Sequence, residues 1–110
     1  MKKLDMREGS TTILILSILS DKPMYGYQLA KELATRSGGF FTFKEGTLYP
    51  ALHRLEKEGL LTSYWEVVAE GPSRKYYTIT DRGQDALASK TSDWSSFARA
   101  LLNVLEGAKG

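Results

Sequence analysis

The chain has 110 residues, with 15 basic and 13 acidic side chains, a net charge of +2 and no cysteine. That length suits one domain with a modest core, for which cover from a second subunit would be useful. The charge is spread too evenly for a polybasic nucleic-acid wrapper, with nine basic and seven acidic residues up to position 60 and six of each after it. The missing cysteines exclude a disulfide framework and thiolate metal sites.

Residues 1–8 carry Lys2, Lys3 and Arg7 and read as a terminal arm without a continuous signal-peptide pattern. The apolar run 13–19, interrupted by Ser17, is too short to span a bilayer, so a cytoplasmic protein with no membrane partner is expected. That run follows an N-cap candidate, Ser10, and is apolar nearly all round, so its helix needs cover on more than one side. Asp21-Lys22-Pro23 should end it. A second helix is predicted over 24–36, with Leu29 and Leu33 on one side and Gln28, Lys31 and Thr35 on another. Ser37-Gly38-Gly39 breaks it, and Phe40, Phe41 and Phe43 follow, either as a lid on the core or as a ligand pocket.

The segment 45–61 holds a third helix whose two faces differ. Leu48, Ala51, Leu52 and Leu55 form an apolar stripe, while Pro50, His53, Arg54 and Lys57 lie opposite, flanked by Thr47 and Tyr49. Pro50 predicts a helix start near Gly46 or Thr47, since proline is tolerated in a first turn, and Gly59 predicts its end. The period then changes from about 3.6 to about 2. Residues 61–68 and 75–80 read as strands joined through Gly71-Pro72, a hairpin whose tip carries Ser73, Arg74 and Lys75. Tyr77 and Ile79 are its expected core pair. Thr80 and Asp81 open a long last helix in which Leu87, Trp94, Ala98, Leu101 and Leu105 keep a seven-residue rhythm, beside Phe97 and Val104. That rhythm suits packing along another helix, and little of its own domain is left to cover this one. A homodimer through the last helix and the apolar first helix of a partner is therefore expected, the other reading being an intramolecular bundle.

The order of elements is that of a winged helix-turn-helix, a mainly α (α+β) fold with a two-stranded β wing and a C-terminal dimerisation helix. The expected division is residues 1–80 for DNA binding and 81–110 for dimerisation. In that geometry the helix before the hairpin enters the major groove and the ribbon tip reaches phosphates. The basic and aromatic groups concentrate at those two places. Three strings also resemble the PadR family of bacterial transcriptional regulators: SILSDKPMYGYQLAKEL, EGTLYPALHRLEKEGLLTSYW and GPSRKYYTITDRG. The resemblance covers residues 12–105 and suits the family's small subfamily.

The resemblance implies a homodimeric repressor of double-stranded operator DNA. Carried onto this chain, Thr47, Tyr49, Pro50, His53 and Arg54 are candidates for base reading, with Lys31, Lys57, Arg74 and Lys75 on phosphates. Arginine can pair bidentately with guanine, whereas lysine near a helix end more often meets a phosphate. Ligand-binding members of the family use the dimer interface. Two Trp94 indoles facing across a two-fold axis could stack on a flat aromatic effector, with Asp93 and Phe97 as further contacts; the other reading is a tryptophan that only packs the dimer. An enzyme is not expected, because His53 is the single histidine and the nearest carboxylate pair, Glu56 and Glu58, lies on a solvated helix. No cofactor or metal is expected. The competing reading is a winged-helix module that binds protein without binding DNA.

Overall fold

The computed structural model describes residues 8–107, so positions 1–7 of the predicted arm lie outside the described residues. The elements run α1 (Glu8–Leu19), β1 (Met24–Tyr25), α2 (Gly26–Arg36), α3 (Glu45–Lys57), β2 (Leu61–Glu66), β3 (Arg74–Ile79) and α4 (Asp81–Gly107). The predicted winged helix is present, with one addition. Met24 and Tyr25, expected in the second helix, instead pair antiparallel with Tyr77 and Tyr76, making a three-stranded sheet of order β1-β3-β2. This places a short strand along the wing edge that would otherwise be bare.

Helix α1 is the centre of the core, touching α2, α3, β3 and α4. Its Ile15, Leu16, Ile18 and Leu19 are buried against Leu29 and Leu33 of α2, the α3 stripe, and Leu61 and Tyr77 of the sheet. Much of the cover sought by an all-round apolar helix therefore comes from its own chain, leaving Ile13 and Leu14 half-buried. Arg36 fastens the end of α2 to the turn after α1 through Glu32 and Asp21, and these hydrogen bonds hold its guanidinium further toward the charged form than usual.

The segment after α2 departs from a simple lid. Gly38 and Gly39 take left-handed backbones, and Ser37 Oγ accepts the Phe41 N–H at 2.9 Å, so the chain turns outward. Phe43 packs on the core, whereas Phe40 and Phe41 are exposed and meet edge to face.

Helix α3 ends as the glycine predicts. Gly59 has φ of 81°, its N–H donates to the Glu56 carbonyl, and the Leu60 N–H donates to the Leu55 carbonyl, a Schellman turn. The start of α4 is bonded onto this turn. Thr80 donates its N–H to the Leu60 carbonyl and its hydroxyl to the Gly59 carbonyl at 2.7 Å, while Thr80 Oγ1 accepts the Gly83 N–H at 3.0 Å. Thr80 is thus both N-cap and tether. Thr80→Ala should cost about 1–2 kcal/mol, read as a lower urea midpoint with an unchanged slope.

Beyond its first two turns α4 leaves the core. Gly83 is buried and Ala86 and Leu87 pack on the cluster, but Phe97, Leu101, Leu102, Val104 and Leu105 are exposed. Among the described residues, no helix is long and apolar enough to cross a membrane.

Candidate nucleic-acid interface

The orientation of α3 is fixed from its buried side. Leu48, Ala51, Leu52 and Leu55 are all in the core, and Leu52 and Leu55 are fully buried. Burying one such leucine is worth about 1.5–3 kcal/mol, far above the roughly 0–1 kcal/mol of an exposed ion pair. Core packing therefore decides which face α3 turns outward. That face carries Thr47, Tyr49, Pro50, His53 and Lys57, all exposed.

The helix begins earlier than proline chemistry suggests. Lys44 is its N-cap, with its carbonyl accepting from both Thr47 and Leu48, so Pro50 is sixth from Glu45 and lies in the second turn. A proline there gives the Gly46 carbonyl no amide four residues on, and that glycine is exposed, so solvent or a ligand can take the place of the lost bond.

Three of the expected DNA contacts sit differently from a plain outward array. Arg54 is half-buried, donating Nη2–H to Thr12 Oγ1 at 3.1 Å and pairing with Glu58 at 3.5 Å. It leans on α1, because a side chain next to the apolar stripe can reach the neighbouring helix. Arg74 and Lys75 are not at the wing tip. Strand β3 already starts at Arg74, opposite Glu66, so the loop at positions 67–73 contains Glu70 and no basic residue.

Strand alternation then sends the two cations to opposite faces. Arg74 shares a face with Tyr76 and stands 4.7 Å from the Tyr25 ring centre, next to the stacked Tyr64–Tyr76 pair. Lys75 shares the inner face with Tyr77 and Ile79. Its ammonium lies 3.6 Å from Glu56 Oε1 and 5.3 Å from the Tyr77 ring centre. Lys31 is exposed on α2, beside a groove formed with Tyr27 and Gln28.

The structure brings the base of the wing and the start of α3 together in a cleft of about 350 Å³ that includes Tyr25, Tyr49, Trp65 and Arg74. Tyr49 lies over the first residue of α2. A Cβ at Gly26 would be 2.6 Å from the Tyr49 hydroxyl oxygen, so only glycine lets the ring settle there. Sequence reasoning missed Tyr25, Gly26 and Trp65 as parts of this surface. The signal for the first two was the Tyr25-Gly26-Tyr27 string, a glycine between large rings at a helix start.

The effector candidates are less assembled. Trp94 is half-buried and meets Phe97 edge to face at 5.7 Å on the same helix, while Asp93 is exposed.

Residues 15–89 match the model of the transcriptional regulator PadR-like family. The chain is 39% identical to the transcriptional regulator Rv3488 of Mycobacterium tuberculosis, over 88% of this chain and 90% of that protein. It is 30% identical to the negative transcriptional regulator PadR of Bacillus subtilis, over 73% of this chain and 42% of that protein. A solved PadR family transcription regulator from hypervirulent Clostridium difficile R20291 superposes with a TM-score of 0.75 at 40% identity, covering 86% of this chain and 97% of that one. With its three helices, its wing and its long last helix, the chain belongs to the PadR-like family and is a DNA-binding transcriptional regulator, not an enzyme.

Proposed function

We propose that the protein is a homodimeric, cytoplasmic repressor that reads its operator with the outer face of α3 and releases it on binding a small flat aromatic effector. The observation that carries the DNA reading is the α3 helix, apolar and fully packed on one side, with Thr47, Tyr49, Pro50, His53 and Lys57 exposed on the other. PadR-like regulators bind operator DNA and generally act as dimers, and the Bacillus subtilis relative is a negative regulator by name. On this reading residues 1–80 carry DNA binding and 81–110 carry dimerisation, through α4 (Asp81–Gly107) among the described residues.

Tyr49 and His53 come first among base readers, with Thr47 and Pro50 beside them. Arg54 reaches a base only by exchanging its Thr12 and Glu58 contacts. Lys57, Lys31 and Arg74 meet phosphates. Lys75 serves the backbone from the inner wing face only if it leaves Glu56. The unpartnered apolar face of α4 supports the dimer, and Trp94 with Phe97 and Asp93 supports an aromatic effector between two such helices.

Selection of bound fragments from genomic DNA tests the DNA reading and identifies the operator. On that operator, His53→Ala should weaken binding by about 1–3 kcal/mol and relax specificity at one position. Lys57→Ala should weaken operator and unrelated DNA alike and flatten the salt dependence by about one ion. Titration by fluorescence anisotropy at several salt concentrations separates the two. A salt-insensitive complex with another protein and no retained DNA would instead establish the protein-binding module.

A further inference from the structure

Glu56 sits in the last turn of α3, next to a surface assigned to a polyanion, where electrostatics alone would disfavour a carboxylate. Its two oxygens are both occupied. Oε2 accepts the Ser63 hydroxyl of β2 at 2.5 Å, and Oε1 lies 3.6 Å from the Lys75 ammonium of β3. Ser63 and Lys75 lie on the same face of the sheet, since their cross-strand partners are Tyr77 and Trp65. One side chain of the recognition helix therefore holds both strands of the wing, at a point where β2 and β3 are about to leave the body of the protein. Lys75, already on the inner face by strand alternation, has its ammonium engaged there by Glu56.

We propose that Glu56 is a positioning residue for DNA recognition: it fixes the angle between wing and recognition helix by tying Ser63 and Lys75 to α3, and the same ion pair holds the Lys75 ammonium back from the phosphate backbone. The inference rests on the DNA-binding reading above. A carboxylate that merely repels DNA and one that sets a docking geometry make opposite predictions for its removal. Loss of a repelling charge tightens every complex. Loss of a positioning contact weakens only the complex that depends on geometry.

Glu56→Gln keeps a carbonyl for the Ser63 hydroxyl and abolishes the ion pair, while Ser63→Ala breaks the other arm without changing charge. For Glu56→Gln we expect operator affinity to fall about fivefold. Affinity for unrelated DNA should stay level or rise. The salt dependence of operator binding should steepen by about one ion, because the freed Lys75 now neutralises a phosphate. Ser63→Ala should also lower the operator-to-unrelated ratio, which charge removal cannot explain.

A DNA-free measurement accompanies these. Trp65 lies on the wing opposite Lys75 and is 65% exposed. In a Trp94→Phe background its steady-state fluorescence anisotropy should drop in Glu56→Gln as the wing loosens, with the circular dichroism spectrum unchanged. Equal or tighter operator binding by Glu56→Gln, an unchanged salt slope, or unaltered Trp65 anisotropy would each overturn the proposal. If the unaltered chain bound no DNA, the DNA reading would fall, and the role of Glu56 with it; if the unaltered chain binds operator and the variant matches it, only the role of Glu56 falls.

Discussion

Gly83→Ala is expected to destabilise the protein by about 3 kcal/mol, against the direction of helix propensity. On an open helix surface alanine is the better residue by about 1 kcal/mol. Here an added Cβ would overlap the Leu60 carbonyl oxygen and stand 2.6 Å from Ile79 Cγ1. The carbonyl cannot yield cheaply, since it already accepts the Thr80 N–H and belongs to the turn that closes α3. Relief requires α4 to move off the body, which breaks the Thr80 bonds and uncovers Ala86 and Leu87. In thermal unfolding the midpoint should fall by roughly 12 °C. Gly107→Ala is the control on the same helix, because nothing lies within 4 Å of a Cβ there, and at the helix end it should hold or slightly raise the midpoint, never lower it. A Gly83→Ala protein as stable as the unaltered chain would refute the close packing of α4 on the α3 turn.

Leu101→Glu should dissociate the proposed dimer while leaving each protomer folded. Leu101 is 47% exposed in the single chain and Leu105 65%, so both have apolar surface left to bury. In a two-fold interface every substitution occurs twice. Losing the remaining burial and placing a carboxylate in an apolar seam costs about 3 kcal/mol per dimer, close to a hundredfold in dissociation constant. Sedimentation at micromolar concentration would show a monomer, circular dichroism would stay the same, and operator affinity would collapse because two half-sites are no longer engaged together. An unchanged sedimentation coefficient would move the interface elsewhere.

How legible these features were depends on the range of the forces behind them. The stripe of Leu48, Ala51, Leu52 and Leu55 is written at helical spacing, and the structure buries all four. Gly59 ends α3 through local backbone chemistry, so it too could be read directly. Strand β1 could not. Two residues have no period, and what makes Met24 and Tyr25 extended is pairing with Tyr77 and Tyr76, some fifty positions away. Arg54 was hidden for a similar reason, since its partner Thr12 lies on α1. Lys75 was legible and was read too simply: the alternation that puts Tyr77 and Ile79 inward puts Lys75 inward as well. Phe40 and Phe41 follow a glycine pair whose left-handed turn, rather than their apolarity, decides where they point.

The bonding of α4 to the end of α3 makes the proposed recognition and dimerisation helices share a pivot. At about 1.5 Å per residue, α4 is a lever of roughly 40 Å. Because α4 is fastened to the end of α3, a tilt of about 5° of the two as one body carries the far end of α4 about 3.5 Å, close to the roughly 3.4 Å between successive base pairs. In a symmetric dimer both levers swing together. In the proposed dimer, an aromatic effector wedged between the two α4 helices would thereby throw the two proposed recognition helices out of step with the pitch of the duplex.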